Sequence, residues 1–312
     1  MLLYRVNPLV SIIIPTYNRG ELLRETLESV LAQTYQNFEV IIVDDYSEDA
    51  TEAIVKRFKD SRIKFLQSRI RHIIAASRNQ GIKEASGEFI AFVDSDDLWL
   101  PEKLQKQLDT FAAHKDILAV STNAMFFPGF KKPALDYTEH RIVLFKDMLY
   151  DCVVVNSSSV IRKEVVDAIG YQDENMKATE DFDYWLRLLR YRDRSILVMK
   201  DVLVKYRFHT GNISPSSGNM THMNEFGFVE YALRKHLDFD PEHVERAIKN
   251  RKVRAYKLDT CNSYRGGNMG LIEFVKHDGL SLVEKLRTVA GKNFQLIRNL
   301  KNNLINRFGG RQ

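Results

Sequence analysis

The chain has 312 residues, 44% of them hydrophobic and 28% charged. That suits one large domain, alone or with an extension, around a sizeable core. The net charge of +5 is concentrated from Gly279 to Gln312, where seven Lys/Arg face only Glu284, so the body is near neutral and a generally basic nucleic-acid-binding surface is excluded there.

In chain order, Met1-Leu2-Leu3-Tyr4-Arg5 is too short for a secretory leader before the first strand starts near Val10. No apolar run reaches the roughly 18 residues of a spanning helix. Val10–Ile14 reads as a strand running into Pro15-Thr16-Tyr17-Asn18. Leu22, Leu23, Leu27, Val30 and Leu31 then recur at helical spacing, with Asn18 and Glu21 placed as a capping box. Phe38–Val43 is a second strand, ending in Asp44-Asp45; Ala50, Ala53, Ile54 and Phe58 mark a helix. A short strand around Ile63–Phe65 precedes a helix from Ala75 to Ala85, with Gly87 as its left-handed terminator. A strand to Val93 follows, then the acidic Asp94-Ser95-Asp96-Asp97, then a helix with Pro101 in its first turn.

Beyond Ile117–Ser121, another strand, the order loosens. Residues 126–140 read as a loop. Val153–Val155 and Ser159–Ile161 bracket the polar Asn156-Ser157-Ser158. Asp181–Tyr191 is a helix, Ser195–Met199 and Val202–Phe208 are two strands, and residues 209–218 form a loop. From about Thr221 only helical patterns remain. Alternating strands and helices predict a mostly parallel central sheet flanked by helices. The two cysteines, Cys152 and Cys261, have neither framework nor metal-ligand spacing, which points to two buried thiols and a reducing cytoplasm.

Three strands thus deliver polar groups at their carboxyl ends, where open α/β sheets bind ligands. Clustered carboxylates repel one another. A hard divalent cation, Mg²⁺ or Mn²⁺, is the simplest partner for Asp94, Asp96 and Asp97, and such a cation commonly holds a diphosphate.

Five blocks carry a resemblance: Ser11–Asn18, Val43–Thr51, Ser77-Arg78-Asn79-Gln80-Gly81, Asp94–Asp97 and Thr179–Trp185. In this order they resemble the family 2 glycosyltransferases, over about residues 8–215. The resemblance implies the GT-A fold, with residues 1–220 as the catalytic domain and 221–312 as a helical C-terminal extension. It implies an inverting, metal-dependent transfer of a sugar from a nucleotide-diphosphate donor to a hydroxyl of a glycan or lipid-linked acceptor. A non-catalytic sugar-nucleotide-binding or scaffold protein on the same fold is the alternative. A pyrophosphorylase would need a Gly-rich loop after the first strand, and an NAD oxidoreductase GxGxxG there; neither is present.

By resemblance, Asp96 ligates Mn²⁺ or Mg²⁺, with Asp94 near the metal or the ribose; Ser95 lies between them. Asp97 is read equally as a helix cap. Asp45 meets the base. A carboxylate accepts the N3–H of uracil, which favours a uridine or thymidine donor over a purine; the other reading of Asp44 and Asp45 is a helix cap. Pro15, Thr16, Tyr17 and Asn18 line the same pocket, with Tyr17 either stacked on the base or in the core. Arg78 offers its fork to phosphate or base pocket, or salt-bridges on a helix surface. Asp181, in Glu180-Asp181, matches the catalytic base, and the helix N-terminus would position it. Trp185 is either an acceptor platform or a core residue. His209, in a loop read as a lid, completes the metal shell or touches the diphosphate.

In the basic tail, Leu282, Val283, Leu286 and later apolar residues recur at helical spacing among Lys285, Arg287 and Lys292. Two readings stay open: peripheral contact with the inner face of the cell membrane, or packing on residues 221–278 or on a second subunit.

Overall fold

The structure is a computed structural model that describes residues 7–128, 133–208 and 222–265. His209, the loop at 209–218 and the tail at 279–312 lie outside the described residues, as does the side chain of Cys261. The strands are β1 (Val10–Thr16), β2 (Phe38–Asp44), β3 (Ile63–Gln67), β4 (Phe89–Phe92), β5 (Leu98–Trp99), β6 (Ala119–Phe127), β7 (Arg141–Val143), β8 (Val160–Arg162) and β9 (Ile196–Arg207). The helices are α1 (Gly20–Leu31), α2 (Thr51–Val55), α3 (Ile74–Glu84), α4 (Lys103–Ala113), α5 (Phe145–Tyr150), α6 (Glu164–Ile169), α7 (Glu180–Tyr191), α8 (His222–Arg234) and α9 (Pro241–Arg265).

The strands form one nine-stranded sheet, ordered β3-β2-β1-β4-β8-β6-β9-β5, with β7 on β9. β3, β2, β1 and β4 run parallel. Beyond β4, only the β6–β9 pair is parallel. The parallel sheet expected from the alternation therefore holds for the first half, and the second half is mixed. Alternate residues of β1 and β2 feed two cores. Ile12, Ile14, Val40 and Ile42 pack with Leu23 and Leu27 of α1. Ile13, Ile41 and Val43 pack on the other face with α3 and α7. Being buried on both faces, these strands read as nearly continuous apolar runs; Ser11 and Glu39 interrupt them, and the Ser11 hydroxyl donates to Glu39 Oε1 at 2.7 Å.

Several local expectations change. The two strands expected at 195–208 are one, β9, because its register against β6 shifts near Asn123 and lets Lys200 and Asp201 through. Gly87 is not a left-handed terminator. A Cβ there would lie 2.7 Å from Leu9 O and Ser11 N, so close backbone approach is what requires glycine. The capping box is replaced by a cross-chain cap: Gly20 N donates to Asp49 Oδ2 at 2.9 Å, while Asn18 Oδ1 accepts from Glu48 N at 2.7 Å. Cys152 lies at an exposed position, while burial of its sulfur pushes the thiol up to about 12. Trp185 is fully buried, edge-on to Phe92 and Tyr184, and so belongs to the core.

Helices α8 and α9 share the α7 core. Phe226, Val229, Leu233, Val244 and Ile248 join the same buried cluster as Trp185 and Leu188. Among the described residues, no helix is long and apolar enough to cross a membrane.

Candidate active site

The chain leaves β1 for β2 on one side and later returns through β3 and α3 to place β4 on the other. Strand order therefore reverses at β1, and the crevice opens at the carboxyl ends of β1, β2 and β4. A cleft of about 410 Å³ lies there, lined by Pro15, Thr16, Tyr17, Asn18, Arg19, Asp45, His72, Ile74, Ser77, Ser95 and Lys177. Most of the residues expected around a nucleotide are thus brought together.

The turn after β1 is sewn to the turn after β2. Asn18 N donates to Ser47 Oγ at 2.8 Å, and Ser47 N donates to Asp44 at 3.0 Å. Asp44 therefore organises its own loop, while Asp49 caps α2 through Thr51 N at 2.9 Å. Asn18, Tyr46, His72 and Thr179 all have positive φ, a costly conformation for residues with a side chain, and Asn18 and His72 sit in the cleft wall. Asp45 is free of a capping role. Its Oδ2 accepts from His72 N at 2.7 Å, and its Oδ1 is buried without a partner. Thr16 Oγ1, also in the cleft wall, is a second buried atom without one. Tyr17 is 42% exposed and edge-on to the His72 ring, which removes the core reading for it.

The acidic turn is held from three directions. Arg19 Nη1 donates to Asp96 Oδ2 at 2.6 Å. Arg78 Nη2 donates to Asp94 Oδ1 at 2.7 Å. Asp97 Oδ1 accepts from Arg207 N at 2.8 Å, and Arg207 Nε donates to Asp96 O at 2.8 Å. Burial, then the charges of Asp96 and Asp94, push the Asp97 carboxyl well above the usual range; its Oδ2 is buried without a partner. The polar Asn156-Ser157-Ser158, a single 3₁₀ turn, lies beneath: Asp94 N donates to Ser157 Oγ at 3.0 Å.

Arg78 is only 3% exposed and does not line the cleft. Its guanidinium bridges Asp94 to Glu180, so it joins the acidic turn to the first residue of α7. Glu180, expected beside the base, is occupied in that pair. Its neighbour Asp181 has a carboxyl raised to about 7, first by burial, then by the charge of Glu180, with Arg78 pulling the other way. A carboxylate poised there suits a general base. Thr179 does not cap α7 with its side chain; Asp181 Oδ1 accepts from Phe182 N at 2.8 Å.

The glycosyl transferase family 2 profile matches residues 11–170, which span β1, β2, β4 and the whole acidic turn. The chain belongs to glycosyl transferase family 2. Its relatives bear the same family character. It is 31% identical to the UDP-Glc:alpha-D-GlcNAc-diphosphoundecaprenol beta-1,3-glucosyltransferase WfgD of Escherichia coli, over 66% of this chain and 79% of that one. It is 31% identical to the putative teichuronic acid biosynthesis glycosyltransferase TuaG of Bacillus subtilis, over 66% of this chain and 82% of that one. In structure it is similar to TarS of S. aureus, residues 1–349, in complex with UDP-GlcNAc (TM-score 0.67, 22% identity, 95% of this chain and 83% of that one). It spans 50% of the longer TarS chain. The protein is thus a family 2 glycosyltransferase of GT-A fold.

Four cleft residues of this glycosyltransferase escape a reading of its motifs. Arg19 directly follows Asn18 and is visible only as the next residue of that block, and Ile74 is the first residue of α3, one before the expected start of that helix. His72 and Lys177 come from loops without pattern, and nothing in the sequence announces them.

Proposed function

We propose that this glycosyltransferase moves a sugar from a UDP-linked donor to a hydroxyl of a glycan or lipid-linked acceptor, with inversion. The observation that carries the donor assignment is Asp45: a buried acceptor oxygen in the cleft wall that lacks a donor. The N3–H of uracil supplies one. Leaving such an atom unpaired costs about 1–3 kcal/mol, so the right base is selected by what the wrong one fails to satisfy. Tyr17 offers an exposed ring to the base beside it. WfgD, named for a UDP-Glc donor and a diphosphoundecaprenol-linked acceptor, supports the same reading.

Asp181 takes the proton from the acceptor hydroxyl as its oxygen attacks the anomeric carbon. The bond from that carbon to the diphosphate oxygen breaks in the same step, and a single displacement inverts the centre. Arg78 keeps Asp181 beside the acidic turn through Glu180. Asp96 and Asp94 are the residues that would hold Mn²⁺ or Mg²⁺. Their hard oxygens and crowded negative charge fit such an ion, although among the described residues no three ligating side chains form a ready cage. Magnesium is commonly held by one or two carboxylates plus substrate phosphates. When bound, the ion stabilises charge growing on the leaving diphosphate. A mannosyltransferase of Pyrobaculum calidifontis with the same fold, 16% identical, is known in complex with GDP-Man and Mn²⁺.

A screen of nucleotide-sugar hydrolysis with and without Mn²⁺ tests the reading. UDP-sugars should be hydrolysed with Mn²⁺ and spared with chelator. Equal turnover of ADP-sugars, or indifference to chelator, would count against the base assignment or the metal, respectively.

A further inference from the structure

Arg19 sits where two demands meet. It lines the donor cleft, and its guanidinium is 2.6 Å from Asp96, whose side chain is almost fully buried. Three carboxylates crowd this turn, and each has a partner: Asp94 has Arg78, Asp97 has the Arg207 N–H and Asp96 has Arg19. Like charges this close repel one another, so Asp96 left without a cation would be destabilised. The Arg19 contact is partly buried, so it is screened less than a surface pair. A guanidinium and a divalent cation cannot both take the same Asp96 oxygen at contact distance.

We propose that Arg19 is a resident counter-ion that competes with the divalent cation for Asp96 and passes to the donor diphosphate when the cation binds. This rests on the metal-dependent reading above. A positive charge stays on Asp96 throughout the exchange, rising from the single charge of the guanidinium to the double charge of the cation, and the planar fork that Asp96 releases matches phosphate oxygens. Arg19 needs only a side-chain rotation, because the backbone beneath it is fixed by Asn18 and by the Gly20–Asp49 bond. Two consequences follow. Free cation binds more weakly than the bare carboxylates would allow, and cation and nucleotide bind cooperatively, since the arginine displaced by the first finds its partner in the second.

The test is calorimetric titration of the full chain with MnCl₂ alone, then with UDP at saturating Mn²⁺. Arg19→Gln should bind Mn²⁺ about tenfold tighter than the parent, the scale of one charge-assisted contact, and should bind UDP more weakly at saturating Mn²⁺. Arg19→Lys, which keeps the charge without the fork, should fall between. Thermal melting of both variants checks that they fold. Unchanged or weaker Mn²⁺ affinity in Arg19→Gln overturns the proposal; if Asp96→Asn still abolishes Mn²⁺ binding in that case, the metal-dependent reading survives. Absence of Mn²⁺ binding in parent and variant alike, with UDP bound, overturns both.

Discussion

The strand-end cleft and the α7 region beside it are built differently. The cleft rests on the ends of β1, β2 and β4, and its contacts join turns of neighbouring strands: Asn18 to Ser47 and Glu48, Gly20 to Asp49, Asp45 to His72. The α7 region is assembled over long sequence distances, largely by charge. Lys235, directly after α8, meets Asp173 at 2.5 Å and the fully buried Asp183 at 2.9 Å. Asn79 donates to Gln172 O at 2.9 Å, and Arg251 of α9 donates to Leu149 O at 2.6 Å while lying over Phe182. Contacts between neighbouring turns make the first region local and rigid, whereas the second depends on side chains from far along the chain.

This contrast predicts that damage to the α7 region spares donor binding. Asp181→Asn should lower turnover by about 10²- to 10⁴-fold, the usual worth of a general base, with UDP affinity by calorimetry unchanged. In the parent, turnover should rise as pH passes through about 7 and level off above it, since the base must be ionised. The same raised carboxyl means that the folded state holds a proton the unfolded chain has released. Stability should therefore fall as pH climbs from the ordinary carboxylate range through about 7, and Asp181→Asn should remove that fall in thermal melts. A profile without an inflection near 7 would remove Asp181 as the base.

The bridge between the two regions should be the costliest to break in stability. Arg78→Met leaves Asp94 and Glu180 facing each other without a cation and should cost about 3–5 kcal/mol in denaturant unfolding. Lys235→Met leaves Asp183 with Arg187 alone and should cost about 1–3 kcal/mol, again with UDP affinity retained. The smallest effect expected is from Asp45→Ala. Removing a side chain whose hydrogen bond and ring contact both fall on His72 should barely move stability yet weaken UDP binding by roughly tenfold, about 1.4 kcal/mol. Unaltered UDP affinity would place the base elsewhere.

The same division explains what the sequence discloses. β1, β2 and β4 are legible because strands buried on both faces are mostly apolar, and the polar residues that end them stand out. The placement of Asp45, Asp94, Ser95 and Asp96 at those strand ends follows directly, and so does that of Asp181 in the first turn of α7. The side chain of Arg78 points away from expectation because burial, not spacing, decides whether an arginine meets phosphate or carboxylate. Trp185 is ambiguous in sequence for a similar reason: either side of α7 could have faced the sheet. The capping of α1 by Asp49 is illegible, since the donor of the cap lies 29 residues from its acceptor. His72 and Lys177 reach the cleft through irregular backbone, which carries no periodic signal.

The Lys235 contact has a bearing on how the molecule is made. A ribosome delivers the chain from its amino end, and every described strand of the sheet has emerged once β9 is complete at Arg207. Asp183 is by then already committed to the interior, yet its lysine comes only with the last turns of α8 and the segment after it. The nascent protein therefore passes through an interval in which the buried Asp183 has Arg187 but not yet Lys235. The interior around α7 reaches its final charge balance only when the later helices arrive.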